Sequence, residues 1–194
     1  MRRLAGIVFA LVATPLQAQD VPLPEFAICM DREVARYERA LRRHLDGPDP
    51  ETFDIGGVDE VDYCGTVGIV RCDISDAPLP CQRDLRAEQD ALAEKVRASL
   101  PAPEAVAGAH AEVSDGLYPQ VWALAHGRSA GPDCTGSSEV LEVWCEAREA
   151  NRRLQLAVLA WQVARFLDAT PTAVAAGWAS LPVPTRPRAR PREG

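Results

Sequence analysis

Six cysteines are the residues of this chain whose chemistry is most informative. Thiols can ligate zinc, attach haem, catalyse disulfide exchange or pair as disulfides. No two cysteines are spaced as C-x-x-C, the arrangement typical of zinc sites, haem attachment and thiol oxidoreductases. In an exported protein the even number favours three disulfides, formed among Cys29, Cys64, Cys72, Cys81, Cys134 and Cys145.

The pairing of these cysteines stays open at the level of sequence, because six thiols allow many connectivities. One alternative joins Cys134 to Cys145 and closes a loop of about 12 residues, which contributes about 3 kcal/mol in the chain-entropy model. Another joins two helix starts, for example Cys81 to Cys145.

Residues that could act in catalysis do not form a recognisable pattern. The sequence contains no nucleophile elbow or other catalytic signature. His126, followed by Gly127, is better explained as the end of a helix with a glycine cap. Asp59, Glu60 and Asp62 could serve glycoside chemistry, but a solvated acidic loop is the simpler interpretation. We predict no enzyme activity, no metal site and no cofactor.

The N-terminus has the layout of a secretory signal. Arg2 and Arg3 precede an apolar run over residues 4–14, and Ala18 provides a small residue at the expected cleavage point. The run is shorter than the roughly 20 residues that a membrane-spanning helix requires. We therefore expect residues 1–18 to be a signal peptide and the protein to be periplasmic or secreted, without membrane insertion.

The charge balance is acidic. The full chain has 21 Lys and Arg against 28 Asp and Glu, a net charge of −7. Without residues 1–18 the net charge is −9, and residues 19–185, which exclude an arginine-rich end, have −12. An acidic surface disfavours nucleic acid and anionic membranes as partners. It suits a basic protein partner, and it also suits solubility alone.

Hydrophobic periodicity indicates a mainly α fold, a disulfide-stapled bundle of about four helices. Apolar residues recur every three or four positions in residues 25–46, and residues 81–100 have a narrower apolar stripe that Glu88 and Gln89 interrupt. A third helical region covers residues 104–125, with a break expected near Pro119. The last helix, residues 139–168, is the longest, and its second half is apolar on nearly every face.

The segments between and after these helices differ in character. Residues 51–75 are predicted as a small β-hairpin, because β-branched and aromatic residues are interspersed there with glycines. Residues 19–180 then form a single domain, in which a short turn over residues 172–180 places Trp178 against the bundle. The proline- and arginine-rich segment 181–194 has little with which to build a core and is predicted to be a disordered tail.

The order of several residues is similar to that of the LprI-like lysozyme-inhibitor family of small exported α-helical domains. That family has a cysteine at a first helix, a Gln-x-x-Trp and Arg stretch before a second cysteine, and a third cysteine that opens the last helix. The resemblance covers about residues 81–160 and rests on Cys81, Gln120-Val-Trp122, Arg128, Cys134, Cys145-Glu-Ala147 and Arg152-Arg153-Leu154.

This resemblance implies inhibition of a lysozyme-type muramidase by occlusion of its active-site cleft. An acidic protein would attract lysozymes, which are often basic. The loop Gly127–Ser138, with Arg128, Ser129 and Asp133, would contact the partner. The alternative is a non-enzymatic scaffold or interaction module of the periplasm with an unidentified partner.

Overall fold

The computed structural model describes residues 22–47, 53–106, 110–127, 133–136 and 138–182. The predicted signal peptide, and the predicted tail beyond residue 182, lie outside these ranges. Within them the chain forms five α-helices and no strand. These are α1 (Phe26–Asp46), α2 (Asp59–Asp73), α3 (Pro78–Ala98), α4 (Tyr118–His126) and α5 (Glu139–Phe166).

The mainly α prediction is confirmed, with one helix more than expected. α5 is the central element, because α2, α3 and α4 all pack against it. Its second half is buried on most sides, as the apolar sequence predicted, and Trp161 at its centre has no exposed surface. The helix begins after Ser138, whose backbone is extended as an N-cap requires, and Glu139 and Glu142 favour its positive end.

The predicted β-hairpin over residues 51–75 is wrong, because residues 59–73 form α2. Its β-forming residues belong to a helix whose buried positions follow a helical period, and tertiary packing overrides their local preference. Three acids in the first turn favour the positive end of the helix dipole. The helical signals in the sequence were therefore these acids and the spacing of Val61, Cys64 and Cys72, rather than the β-branched content.

The break predicted near Pro119 is a π-helical turn, Glu112–Leu117, which runs directly into α4. Pro119 then lies in the first turn of α4, a position that proline commonly occupies. A short 3-10 turn, Pro103–Ala105, precedes this region. Tyr118 anchors the junction because its hydroxyl donates to the carbonyl of Pro101 over 2.7 Å.

Three disulfides connect the helices. Cys29–Cys64 joins α1 to α2, with the Cα atoms 5.6 Å apart, and Cys72–Cys81 joins α2 to α3 at 5.3 Å. Cys134–Cys145 ties the preceding loop to α5 at 5.7 Å. The alternative Cys81–Cys145 pairing is therefore wrong. Disulfides in this number are typical of an oxidising compartment such as the periplasm or the extracellular space.

The chain after α5 folds back onto the bundle. Residues 173–177 form a turn, and Trp178 is buried with its ring edge-on to that of Trp161, 4.9 Å between centroids. This is the placement of Trp178 that the sequence predicted. Of the helices described, none is both long and apolar enough to cross a bilayer.

Candidate functional site

The predicted partner-binding loop is described only in part. Arg128 and Ser129 lie outside the described residues. The Asp133 carboxylate is exposed and accepts hydrogen bonds from Thr135, over 2.7 Å from the hydroxyl and 3.0 Å from the backbone N–H. Both bonds lower the pKa of Asp133 below its usual value, and the bond from the Thr135 hydroxyl has the larger effect. Asp133 therefore stabilises its own turn next to Cys134.

His126 has the structural role that its position predicted. It ends α4, and its ring stacks on that of Trp122 at 4.0 Å while Nδ1 lies 2.9 Å from the Trp122 carbonyl oxygen. The N–H of Gly127 donates to Ala123 O over 2.7 Å and closes the helix. In the described ranges no three His, Cys, Asp or Glu side chains come together as a metal-binding group.

A cavity of about 280 Å³ lies between α1, residues 53–57, the start of α2 and the second half of α5, and we name it the acidic cavity. The rings of Tyr37, Phe53 and Trp161 line it, and Tyr37 lies 5.6 Å from each of the other two rings. Its polar lining residues are Glu33, Arg36, Asp54, Asp59, Glu60 and Gln162. One of these six is basic and four are acidic, so the cavity favours positive charge.

The walls of the acidic cavity are positioned by hydrogen bonds that join distant parts of the chain. The Tyr37 hydroxyl lies 2.7 Å from the Gln162 carbonyl oxygen and 3.2 Å from that of Ile55. Gln162 Nε2 donates to the carbonyl of Gly57 over 2.7 Å. Both side chains thereby hold residues 55–57 on α5. Burial raises the pKa of Tyr37 well above its usual range, and the charge of Glu38 adds to the shift, so this hydroxyl stays protonated as a donor.

Two carboxylates meet at the mouth of the acidic cavity. A methyl group placed on Gly57 would lie 3.3 Å from Asp54 Oδ2 and 3.7 Å from Glu60 Oε2, so the two carboxylates flank one glycine. Asp59 adjoins them in the first turn of α2. Residues 53–70 contain no Lys or Arg. The sequence showed Asp59 and Glu60 as an acidic cluster but not the aromatic rings beside them, of which Tyr37 belongs to α1 and Trp161 to α5.

Glu33 and Gln162 are two of the lining residues that sequence reasoning missed. Glu33 lies among the apolar residues of α1 that are buried, and Gln162 lies in the second half of α5, where most residues are apolar. A polar residue on an otherwise buried helix face was the available signal, because such groups need a partner or a function.

A second, polar cleft of about 560 Å³ lies between α2 and α5. Its lining residues include both signs of charge, among them Asp62, Asp73, Arg148 and Arg152. Gln155 Nε2 donates to Asp62 Oδ1 over 2.8 Å, so part of its polar surface is already satisfied internally. Because both signs of charge line this cleft, it favours neither a cationic nor an anionic ligand. The acidic cavity is therefore the better candidate site.

Comparisons with protein-family models, with curated proteins and with solved structures find no match to this chain. The resemblance to the lysozyme-inhibitor family therefore stays a prediction.

Proposed function

We propose that this protein is an exported binding protein without catalytic activity that recognises a basic protein partner, and that the partner to test first is a lysozyme-type muramidase. The observation that supports this proposal is the acidic cavity, where carboxylates converge beside aromatic rings. An acidic surface accelerates encounter with a basic protein and orients it before docking.

Inhibition would follow if docking covers the active-site cleft of the muramidase. That cleft contains catalytic carboxylates, so an inserting donor is the complementary group. We propose that Arg128 and Ser129 of the loop Gly127–Ser138 supply this donor, with Cys134–Cys145 tethering the loop to α5.

Two matched triple variants test the electrostatic part of this proposal. Asp54→Asn/Asp59→Asn/Glu60→Gln removes three charges at the acidic cavity. The control Asp84→Asn/Glu104→Gln/Glu112→Gln removes three exposed charges from residues that do not line it.

We expect the cavity variant to bind hen-type lysozyme at least about tenfold more weakly at low salt, with the difference shrinking as salt rises. The control should bind like the parent protein. If the parent protein neither binds lysozyme nor slows its hydrolysis of cell walls, the muramidase proposal fails. If Arg128→Ala inhibits as well as the parent, the loop has no part in it.

A second candidate function, a scaffold or interaction module, is favoured by an apolar surface at the start of α5. Val140 is 59% exposed, Leu141 57% and Trp144 38%, and Trp144 lies one turn after the other two. Exposed apolar groups of this kind are common at protein interfaces. A pull-down from envelope extract separates the two functions, because a muralytic enzyme supports inhibition and a structural complex supports scaffolding.

A further inference from the structure

The acidic cavity contains two buried acceptor oxygens without a hydrogen-bond partner among the described residues. They are Glu33 Oε2 and Gln162 Oε1. Glu33 is 9% exposed and Gln162 is 5% exposed, and both line the same cavity. Buried polar atoms nearly always find a partner, so oxygens of this kind beside a cavity are candidate acceptors for the donors of a ligand.

The Gln162 amide is fixed in the orientation that leaves its oxygen unpartnered. Its Nε2 donates to Gly57 O over 2.7 Å, so rotating the amide would break that bond and place two carbonyl oxygens together. The acceptor is therefore a consequence of how residues 55–57 are held on α5.

Arg36 shows that a guanidinium group can approach this position. Its Nη1 lies 2.9 Å from Glu33 Oε2, although the angle does not make a hydrogen bond, and its side chain is 59% exposed. A largely solvated arginine in an ion pair within one helix contributes little to stability. An incoming cation could therefore displace it at small cost.

We infer that the acidic cavity binds a guanidinium group, with Glu33 and Gln162 as acceptors and the rings of Tyr37 and Trp161 as walls. A planar guanidinium presents several donors to such acceptors and stacks favourably on aromatic faces. Asp54, Asp59 and Glu60 at the mouth attract it. The cavity, at about 280 Å³, is near the lower end of ligand sites and suits one side-chain-sized group.

The group could belong to an arginine of a protein partner or to a small free alkylguanidine. The first source rests on the proposed function, and the second does not. The chemistry of recognition is the same in both, so the probes have to separate them.

Isothermal titration of the mature protein with four probes tests this inference. They are butylguanidinium, butylammonium, an arginine tripeptide blocked at both ends, and the same peptide with neutral citrulline. We expect both guanidinium probes to bind at least tenfold more tightly than the ammonium and citrulline probes. If the arginine peptide binds more tightly than butylguanidinium, the natural ligand is an arginine of a protein. If butylguanidinium binds more tightly, the natural ligand is a small free alkylguanidine. Citrulline binding as tightly as arginine would overturn the inference.

Three variants localise the binding. Glu33→Gln should weaken butylguanidinium binding at least tenfold, Arg36→Gln should strengthen it severalfold because the internal competitor is gone, and the exposed Glu104→Gln should leave it unchanged. Thermal melts confirm folding. If Glu33→Gln does not fold, Asp59→Asn/Glu60→Gln serves in its place with a severalfold loss expected. Unchanged affinity in a folded Glu33→Gln or Asp59→Asn/Glu60→Gln protein would overturn the site.

The same titrations distinguish failure of this inference from failure of the proposed function. Lysozyme binding without guanidinium binding removes the cavity site and leaves the protein-binding proposal standing. Guanidinium binding without lysozyme binding removes the muramidase proposal and leaves the site standing.

Discussion

Gly65 of α2 lies directly against Asn151 of α5, so close that a methyl group on Gly65 would overlap the Asn151 side-chain amide. Asn151 is buried between the two helices, at 4% exposed. Its Nδ2 lies 3.5 Å from Asp62 Oδ1, one turn before Gly65. The glycine therefore sets how closely the two helices approach.

Replacing Gly65 by Ala should lower the free energy of unfolding by about 1–2 kcal/mol. Overpacking typically costs about 1–3 kcal/mol, and the better helix propensity of Ala offsets up to about 1 kcal/mol of it. Urea unfolding followed by circular dichroism measures the change. Gly116→Ala is the control, because no atom lies within 4 Å of the added methyl. It should leave stability unchanged or raise it by up to about 1 kcal/mol. Equal effects at both glycines would contradict the packing argument.

The same contact explains which part of the fold the sequence concealed. α1 and α5 were predictable because their apolar residues repeat at a helical period and their ends have turn residues. α2 was not, because its glycines serve close packing against Asn151 and Leu85 rather than turns. A glycine that permits helix contact and a glycine that permits a turn look alike until the partner helix is known.

Removing Cys29–Cys64 should cost more stability than removing Cys72–Cys81. The first disulfide spans 35 residues and the second spans 9, so the chain-entropy model gives about 4 kcal/mol against about 3 kcal/mol. Cys29 and Cys64 are also buried, at 2% and 0% exposed, so their loss leaves a poorly filled core. Thermal melts of Cys29→Ala/Cys64→Ala and Cys72→Ala/Cys81→Ala compare them. The opposite order would show that unfolded-chain entropy does not dominate.

The ion pair between Arg165 and Glu38 should contribute measurably to stability, because both side chains are only 14% exposed. Arg165 Nε and Nη2 lie 3.2 and 3.3 Å from the two Glu38 oxygens, and Nη1 donates to Thr170 O over 3.0 Å. Glu38→Gln leaves a largely buried guanidinium with only the exposed Asp168 carboxylate, 3.6 Å from Nη1, as a charge partner, so we expect a loss of about 1–3 kcal/mol.

The exposed Arg71–Glu25 pair, at 3.4 Å, is the control for this measurement. Arg71→Gln should change the free energy of unfolding by less than about 1 kcal/mol, since surface ion pairs contribute little. A loss at Arg71 as large as the loss at Glu38 would show that burial does not set the strength of these pairs.

Stability should fall with rising pH above about pH 10, partly because of Tyr118. Its side chain is fully buried, and burial raises its pKa above the usual value. In the unfolded chain a tyrosine loses its proton near pH 10, while folded Tyr118 retains it. The folded state then binds more protons than the unfolded state, so this contribution is complete below about pH 10 and is lost as pH rises toward the folded pKa.

Tyr118→Phe tests that pH dependence. It should cost about 1 kcal/mol at neutral pH by removing the bond to Pro101, yet reduce the alkaline slope by up to about 1.4 kcal/mol per pH unit. Urea unfolding from about pH 9 to about pH 11 gives the slopes. The pKa of Tyr37 is also raised by burial, so part of the decrease in stability with rising pH remains in the variant. An unchanged slope would exclude Tyr118 as a source.

Only a small part of the candidate site was visible in the sequence. Asp59 and Glu60 stood out as an acidic cluster, but their significance depends on Tyr37, which lies on a helix that Cys29–Cys64 fixes beside α2. Gln162 is separated from Gly57, to which it donates, by 105 residues. Contacts between residues so far apart in the chain form only in the tertiary fold, and neither residue spacing nor composition predicts them.

Gln89 of α3 supplies the sharpest test of the core. It has no exposed surface, and neither Nε2 nor Oε1 has a hydrogen-bond partner among the described residues. It lies one turn from Leu85 and one turn from Ala93, on the buried face of α3. An unpaired buried amide costs about 1–3 kcal/mol, so replacement by the similarly shaped, apolar Met should raise the free energy of unfolding by that amount.

Gln82 on the same helix is the matched control for this prediction. It is also buried, at 3% exposed, but its Nε2 donates to Asp73 Oδ1 over 2.5 Å. Gln82→Met removes an amide whose Nε2 has a partner although its Oε1 has none, and it takes a hydrogen bond away from the exposed Asp73 carboxylate, so it should destabilise by about 1 kcal/mol. Opposite signs for the same chemical change, measured by urea unfolding, would establish that partnering decides the effect of a buried amide here. A loss of stability in both variants would mean that the Gln89 amide is satisfied in the folded protein in solution.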